Sequence, residues 1–247
     1  MLENLIKFIC REDYIKNNQD ILPIPAKTNI PEWFKKLEHS TQKKTIKGCI
    51  PFLDSLTAGY LLKMPVDYHI IHNIEVEGEK RTGHMVGLKW DPNMSPGLNL
   101  NWDGKEESHL YEQLEGSPHV EKNKKLKFHK LLNPWVIKTP PGYSTLFVPP
   151  LNNADDRFSI VPGIVDTDTF EREINFPFVV NGDKYPILES TIKVGTPYVQ
   201  VIPFKREKWK MKIENRETKK FNEDSFYYFK YWMDNYKKRF WSKKSWK

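Results

Sequence analysis

Asp166 and Asp168 are the residues best placed to do chemistry. They stand two apart in Gly163-Ile164-Val165-Asp166-Thr167-Asp168, directly after Pro162. A positioned carboxylate can serve as a general base toward water. On a strand the two side chains share one face, so two like charges sit together. The seven histidines (His39, His69, His72, His84, His109, His119, His129) offer less, because all of them precede this run. A jelly-roll iron site needs His-x-Asp/Glu and a later distal His. His119-Val120-Glu121 supplies the first half, but no histidine follows His129. His69 and His72 lie in a β-like run that turns them to opposite faces. There is no Gly-x-Ser-x-Gly, no P-loop and no Cys/His nucleophile pattern.

The elements around the aspartates read as compact antiparallel β structure. Short β-favouring runs occupy Tyr143–Val148, Phe158–Val161, Ile174–Val180 and Tyr198–Ile202. Pro140-Pro141-Gly142, Pro149-Pro150, Asn181-Gly182-Asp183 and Gly195-Thr196-Pro197 punctuate them. Asn181-Gly182 predicts a type I′ hairpin, since both positions tolerate positive φ. Upstream, residues 1–10 predict a first strand, and Pro31 predicts a short helix over Glu32–Leu37. Ala58-Gly59 predicts tight backbone packing at a strand start. Val66–Val76 and His84–Lys89 read as paired strands, and residues 91–124 as a functional loop or an insertion.

The 247 residues suffice for a sizeable β core with attachments. No apolar run approaches the roughly 20 residues of a membrane span, and no basic-then-apolar leader opens the chain. Cys10 and Cys49 form neither a disulfide framework nor a metal pattern, so a reduced cytoplasm is expected, the host's if the protein is viral. The net charge of +7 is unevenly spread. Residues 201–247 hold 15 Lys+Arg against 6 Asp+Glu, or +9, leaving −2 (24 − 26) on the rest. Basicity thus belongs to the tail, the one part suited to nucleic acid. There Phe226, Phe229, Met233, Tyr236 and Phe240 recur at steps of three and four. They predict an amphipathic helix started by Asn222 or Asp224 and docked on the β core.

Four segments in order resemble the trimeric dUTPase and dCTP-deaminase superfamily. Thr57-Ala58-Gly59-Tyr60-Leu61-Leu62 resembles its first motif, Ala-Gly-x-Asp-Leu. Pro140-Pro141-Gly142-Tyr143 with Val148-Pro149 resembles the strand entering the second. Residues 163–168 resemble the third, Gly-Val-Ile-Asp-x-Asp-Tyr, and Gly195–Ile202 the fourth, Gly-Asp-Arg-Ile-Ala-Gln-Leu-Ile. The chain also resembles a protein family of marine phages and some bacteria.

The resemblance implies an all-β, β-clip or distorted jelly-roll barrel forming a homotrimer. The longer gap between its first and later motifs implies an insertion over roughly 66–130 in one domain over residues 1–221, while periodicity and charge set off a basic aromatic helix over 222–247. Asp166 takes the water-activating position and Asp168 the second aspartate, with Gln200 facing phosphates. Tyr143 and Arg206 are further ligand-binding candidates. No metal ligand or cofactor is expected, except Mg²⁺ if hydrolysis is retained. Leu61 replaces the first-motif Asp, and Pro150-Leu151-Asn152 replaces the second-motif Arg-Ser-Ser. Without those phosphate ligands the expectation is a binding protein for a small molecule, a nucleotide or a protein partner. The alternatives are an altered hydrolase or deaminase using Asp166, and a phage structural or assembly protein.

Overall fold

A computed structural model describes residues 4–40, 42–74, 82–88, 108–131, 133–215, 217–230 and 235–247. The early strands are β1 (Lys7–Ile9), β2 (Ile24–Pro25), β3 (Tyr60–Lys63), β4 (Asp67–Asn73), β5 (Thr82–Leu88), β6 (Ser108–His109) and β7 (Phe128–Leu131). The later ones are β8 (Val136–Lys138), β9 (Tyr143–Val148), β10 (Phe158–Ile160), β11 (Gly163–Val165), β12 (Phe176–Val180), β13 (Ile187–Ile192) and β14 (Pro197–Lys205). Helices are short until the tail: α1 (Glu12–Asn17), α2 (Glu32–Lys36), α3 (Ile50–Thr57), α4 (Pro118–Lys122), α5 (Thr218–Lys230) and α6 (Asn235–Arg239). The architecture is predominantly β.

Every strand pair is antiparallel. The largest sheet has the order β11-β9-β14-β3-β2. The others run β10-β12-β7-β6, β13-β4-β5 and β1-β8. All four share one apolar core, including Leu62, Phe147, Ile160, Phe178, Ile192 and Val201. Four consecutive residues of β14, Tyr198 to Val201, are buried, so this strand is covered on both faces. That burial makes β14 the fixed spine from which the flanking side chains are positioned.

Local chemistry explains the joints. Gly59 has φ +67° and opens β3 against β14, where a Cβ would lie 2.0 Å from the Val201 carbonyl oxygen. Only glycine permits both the dihedral and the approach. Pro149-Pro150 ends β9 because neither residue can donate to a ladder. Ser117 caps α4 by accepting from the His119 amide, with Pro118 at the first helical position.

Several expectations change. Asn181-Gly182 does not close a hairpin: β12 pairs with β10 and β7, whereas β13 pairs with β4. Neither residue has positive φ. Gly182 instead sits where a Cβ would strike Lys124, His72 and the Lys122 carbonyl. Residues 66–130, read as an insertion, supply β4, β5, β6 and β7, which pair with β13 and β12. Residues 91–107 lie outside the described residues. The tail helix starts at Thr218, so Asn222 and Asp224 are interior positions and not caps. Of the apolar stripe, Phe226, Tyr236 and Phe240 are exposed, so these three positions are not buried on the core. The side chains of Phe229 and Met233 lie outside the described residues. Among the described residues no helix is long and apolar enough to cross a membrane.

Candidate functional site

β11 ends at Val165, and the chain turns so that the Asp166 carbonyl accepts from the amides of Thr169 and Phe170. Beneath the turn lies a buried hydroxyl chain. Thr167 Oγ1 is 2.8 Å from Thr139 Oγ1 and 2.8 Å from Thr145 Oγ1. Thr139 also donates its amide to the Thr167 carbonyl. These bonds anchor Thr167 inward and leave its two acidic neighbours facing the end of β14.

Arg206, one residue past β14, fills the space between those neighbours. Its Nη1 donates to Asp168 Oδ1 at 2.9 Å and its Nη2 to Asp168 Oδ2. Nη1 also lies 3.1 Å from Asp166 Oδ1, 2.9 Å from the Tyr143 carbonyl oxygen and 3.2 Å from Ser144 Oγ. The Gly142 amide donates to Asp168 Oδ2 at 2.8 Å, while its carbonyl accepts from the Arg206 amide. Gly142 has φ +84° with open space at its Cβ, so the backbone conformation selects glycine here.

The two aspartates therefore differ in kind. The Asp168 side chain is 6% exposed, and the Arg206 guanidinium and Gly142 amide hold its carboxyl down at about 2. Hydrogen bonds made only to the charged form have this effect. Asp166 is 62% exposed and receives the Ser144 hydroxyl at 2.6 Å. Lys138 bridges from the Asp168 carbonyl to the Glu171 carboxylate. Formally, Asp166, Asp168 and Glu171 (−3) with Arg206 and Lys138 (+2) leave the cluster at −1. A phosphate arriving there meets excess negative charge.

Of the sequence candidates, Asp166, Asp168, Tyr143 and Arg206 come together and Gln200 does not. Gln200 pairs with Val148 at the far end of β9, five positions from the Lys205–Tyr143 pair, about 16 Å at ~3.3 Å per residue. Gln200 is 1% exposed, and its amide is fully engaged by the protein. Its oxygen accepts from the Leu151 amide, and its nitrogen donates to the carbonyls of Ser55 and Ala58. It thereby joins the Thr57–Leu62 segment to Pro150–Asn152. Nearby, a cleft of about 200 Å³ is lined by Lys122, Pro150, Asn152 and Asp155 among others. Tyr143 receives Asn4 Nδ2 at its hydroxyl.

The donor set suits Mg²⁺ poorly. That ion favours octahedral oxygen coordination, yet both Asp168 oxygens already accept from Arg206 or Gly142, leaving Asp166 as the available carboxylate. Among the described residues no group of three or more His, Cys, Asp or Glu side chains is arranged to hold a metal. Ser144, Lys138 and the Thr139–Thr167–Thr145 chain were not among the sequence candidates. The signal of Ser144 and the three threonines is burial of polar side chains, which a pattern of residue types does not reveal, and Lys138 is partly exposed.

Compared with family models, curated proteins and solved structures, the chain matches none.

Proposed function

We propose that this chain is a divergent dUTPase-like β domain that works by binding and does not hydrolyse nucleotides. The observation that carries this reading is the closure of Asp168 by Arg206 and Gly142. Both oxygens of the second carboxylate are satisfied within the protein. The cation beside the aspartates is their own counter-charge and not a free phosphate ligand. Gln200 likewise supports a connecting role, because its three hydrogen bonds join protein segments. The experiment is a turnover assay with dUTP and dCTP in the presence of Mg²⁺ or Zn²⁺, beside a thermal-shift screen of nucleotides. Absence of turnover agrees with the proposal, and measurable hydrolysis or deamination overturns it.

A second reading rests on Asp166 alone. An exposed carboxylate held by Ser144 and flanked by a guanidinium could orient an attacking water. In that reading Arg206 supplements the cations missing from the second motif. Asp166→Asn must then abolish nucleotide-dependent activity, and an unchanged variant removes the idea.

A further inference from the structure

The cleft beside Pro150 lies at a seam between two sheets, and its walls differ in chemistry. One wall is the start of β10, which supplies Phe158 and Ser159. The facing wall supplies Pro149, Pro150 and Pro197, which have no N–H to offer. β10 ends its sheet and pairs only with β12. Beside it, the Arg157 carbonyl accepts from the Asn181 amide, and the Val161 amide donates to the Pro177 carbonyl. Bonds toward β12 thus fall on residues 157, 159 and 161. Alternation then turns the N–H and C=O of Phe158 the other way, to the open edge. The Val180 amide, opposite Phe158, accordingly donates to Asn123 Oδ1 instead.

Of the charged side chains in the lining, only Lys122 lacks a counter-charge. Asp155 receives Arg157 at both oxygens, and Asp156 receives the Lys184 ammonium and the Tyr185 hydroxyl. Among the described residues the Lys122 side chain makes no ion pair or hydrogen bond, so the cleft carries one uncompensated positive charge. The backbone that presents this cation is fixed. Lys122 ends α4, and its carbonyl accepts from the Gly182 amide. The next residue, Asn123, is buried and bonds to the Leu126 and Lys127 carbonyls and the Val180 amide. Asn153 and Ser159 add an amide and a hydroxyl that make no side-chain hydrogen bond among the described residues. The loop bearing Asn153 is held by its own amide on the Pro150 carbonyl and by Asn152 Nδ2 on Ser55 Oγ.

We propose that this cleft binds the free C-terminus of an extended peptide, its carboxylate at Lys122 and its last peptide group paired to the open edge of β10. Main-chain pairing at a strand edge and capture of a terminal carboxylate are established modes of peptide recognition. A lone ammonium suits a monoanionic carboxylate. Phosphate is held best by a bidentate arginine, and the neighbouring Arg157 is committed to Asp155. The cleft of about 200 Å³ is smaller than the roughly 300–1,000 Å³ of sites for drug-sized ligands, so it takes one or two small residues and excludes a nucleotide. Its proline wall and Phe158 favour small apolar side chains there. Lys122, Asn153, Phe158 and Ser159 lie outside the four segments that resemble the dUTPase superfamily. The cleft also sits at the Val148 end of β9, away from Arg206, so the inference is independent of whether Asp166 and Asp168 bind or catalyse.

The test is an amide-resolved NMR titration of the full chain with acetyl-Ala-Ala bearing a free carboxylate. Its C-terminal carboxamide, acetate and inorganic phosphate are titrated beside it. The carboxylate peptide should bind saturably and shift the amides of Lys122, Asn123, Phe158 and Ser159. The carboxamide, acetate and phosphate should each bind about tenfold more weakly or less. Lys122→Gln should weaken the peptide by about tenfold or more. Asn153→Trp, which fills the mouth of the cleft from an exposed position, should abolish its binding. Both variants should keep the wild-type circular dichroism and Tm. Absence of saturation up to about 10 mM peptide overturns the inference, as does equal affinity for peptide and carboxamide. So does unchanged affinity in either variant. Acetate or phosphate binding as tightly as the peptide shows an anion site without strand pairing, and overturns it too.

Discussion

Arg206 and Asp168 form a two-pronged ion pair across 38 positions of sequence, Nη1 to Oδ1 at 2.9 Å and Nη2 to Oδ2. The pair, with the Arg206–Asp166 contact beside it, ties the turn after β11 to the end of β14, two elements that both flank β9. The two partners are unequally exposed, 39% for the Arg206 side chain and 6% for Asp168. In the intact pair water reaches the guanidinium far more than it reaches the carboxylate. Removing the arginine should therefore cost more than removing the charge on the aspartate. Arg206→Met is expected to lower Tm by several degrees and Asp168→Asn by less. Adding Asp168→Asn to Arg206→Met should recover part of the loss. Equal effects from the two single variants would show that the pair is solvated and contributes little.

The same pair fixes a pH dependence. The Asp168 carboxyl is held at about 2, below its ordinary 3.8. A depressed pKa means the unfolded chain binds the proton more readily than the folded one. The contribution is thus complete above pH 3.8 and is lost as the pH falls to about 2. Tm measured across this window should fall less steeply in Arg206→Met than in the wild type. Parallel curves would detach the acid sensitivity from this pair.

At β3, Gly59→Ala should be among the most damaging small substitutions. The dihedral of +67° strains any other residue, and the added carbon would sit 2.0 Å from a carbonyl oxygen of the buried central strand. Backbone cannot give way as a side chain can. The expected loss is about 3 kcal/mol or more in urea unfolding. A loss of less than about 1 kcal/mol would mean that β3 can move away from β14.

What the sequence made legible follows from how local each signal is. The β-favouring runs that became β9, β10, β12 and β14 are bounded by prolines and glycines, and their limits are close to those observed. Gly59 was legible because Ala58-Gly59 before an apolar run has few other reasons to exist. The carboxylate pair was legible as a pair, because spacing of two is a local fact. Arg206 as its counter-charge was legible only as a nearby cation, since the bond depends on the register between β14 and β9. Register also separates Gln200 from Asp166, which motif order alone had suggested to be companions. Asn181-Gly182 misled because a type I′ preference describes dihedrals, whereas Gly182 answers to Lys124 and His72 on other elements.

Gln200 provides the last test, and it separates a connecting role from a ligand-facing one. Its amide bridges the Leu151 N–H to the carbonyls of Ser55 and Ala58, with the side chain almost completely out of water. Gln200→Leu keeps the approximate volume but leaves one donor and two acceptors without their partner. Unmade bonds of this kind cost about 1–3 kcal/mol each where water cannot enter. Because Leu151 and Ser55 are partly exposed, the expected total is about 2–3 kcal/mol in urea unfolding, with no change in the affinity of any nucleotide that stabilises the wild type. If the variant is as stable as the wild type yet loses nucleotide binding, Gln200 faces a ligand and the connecting role is wrong.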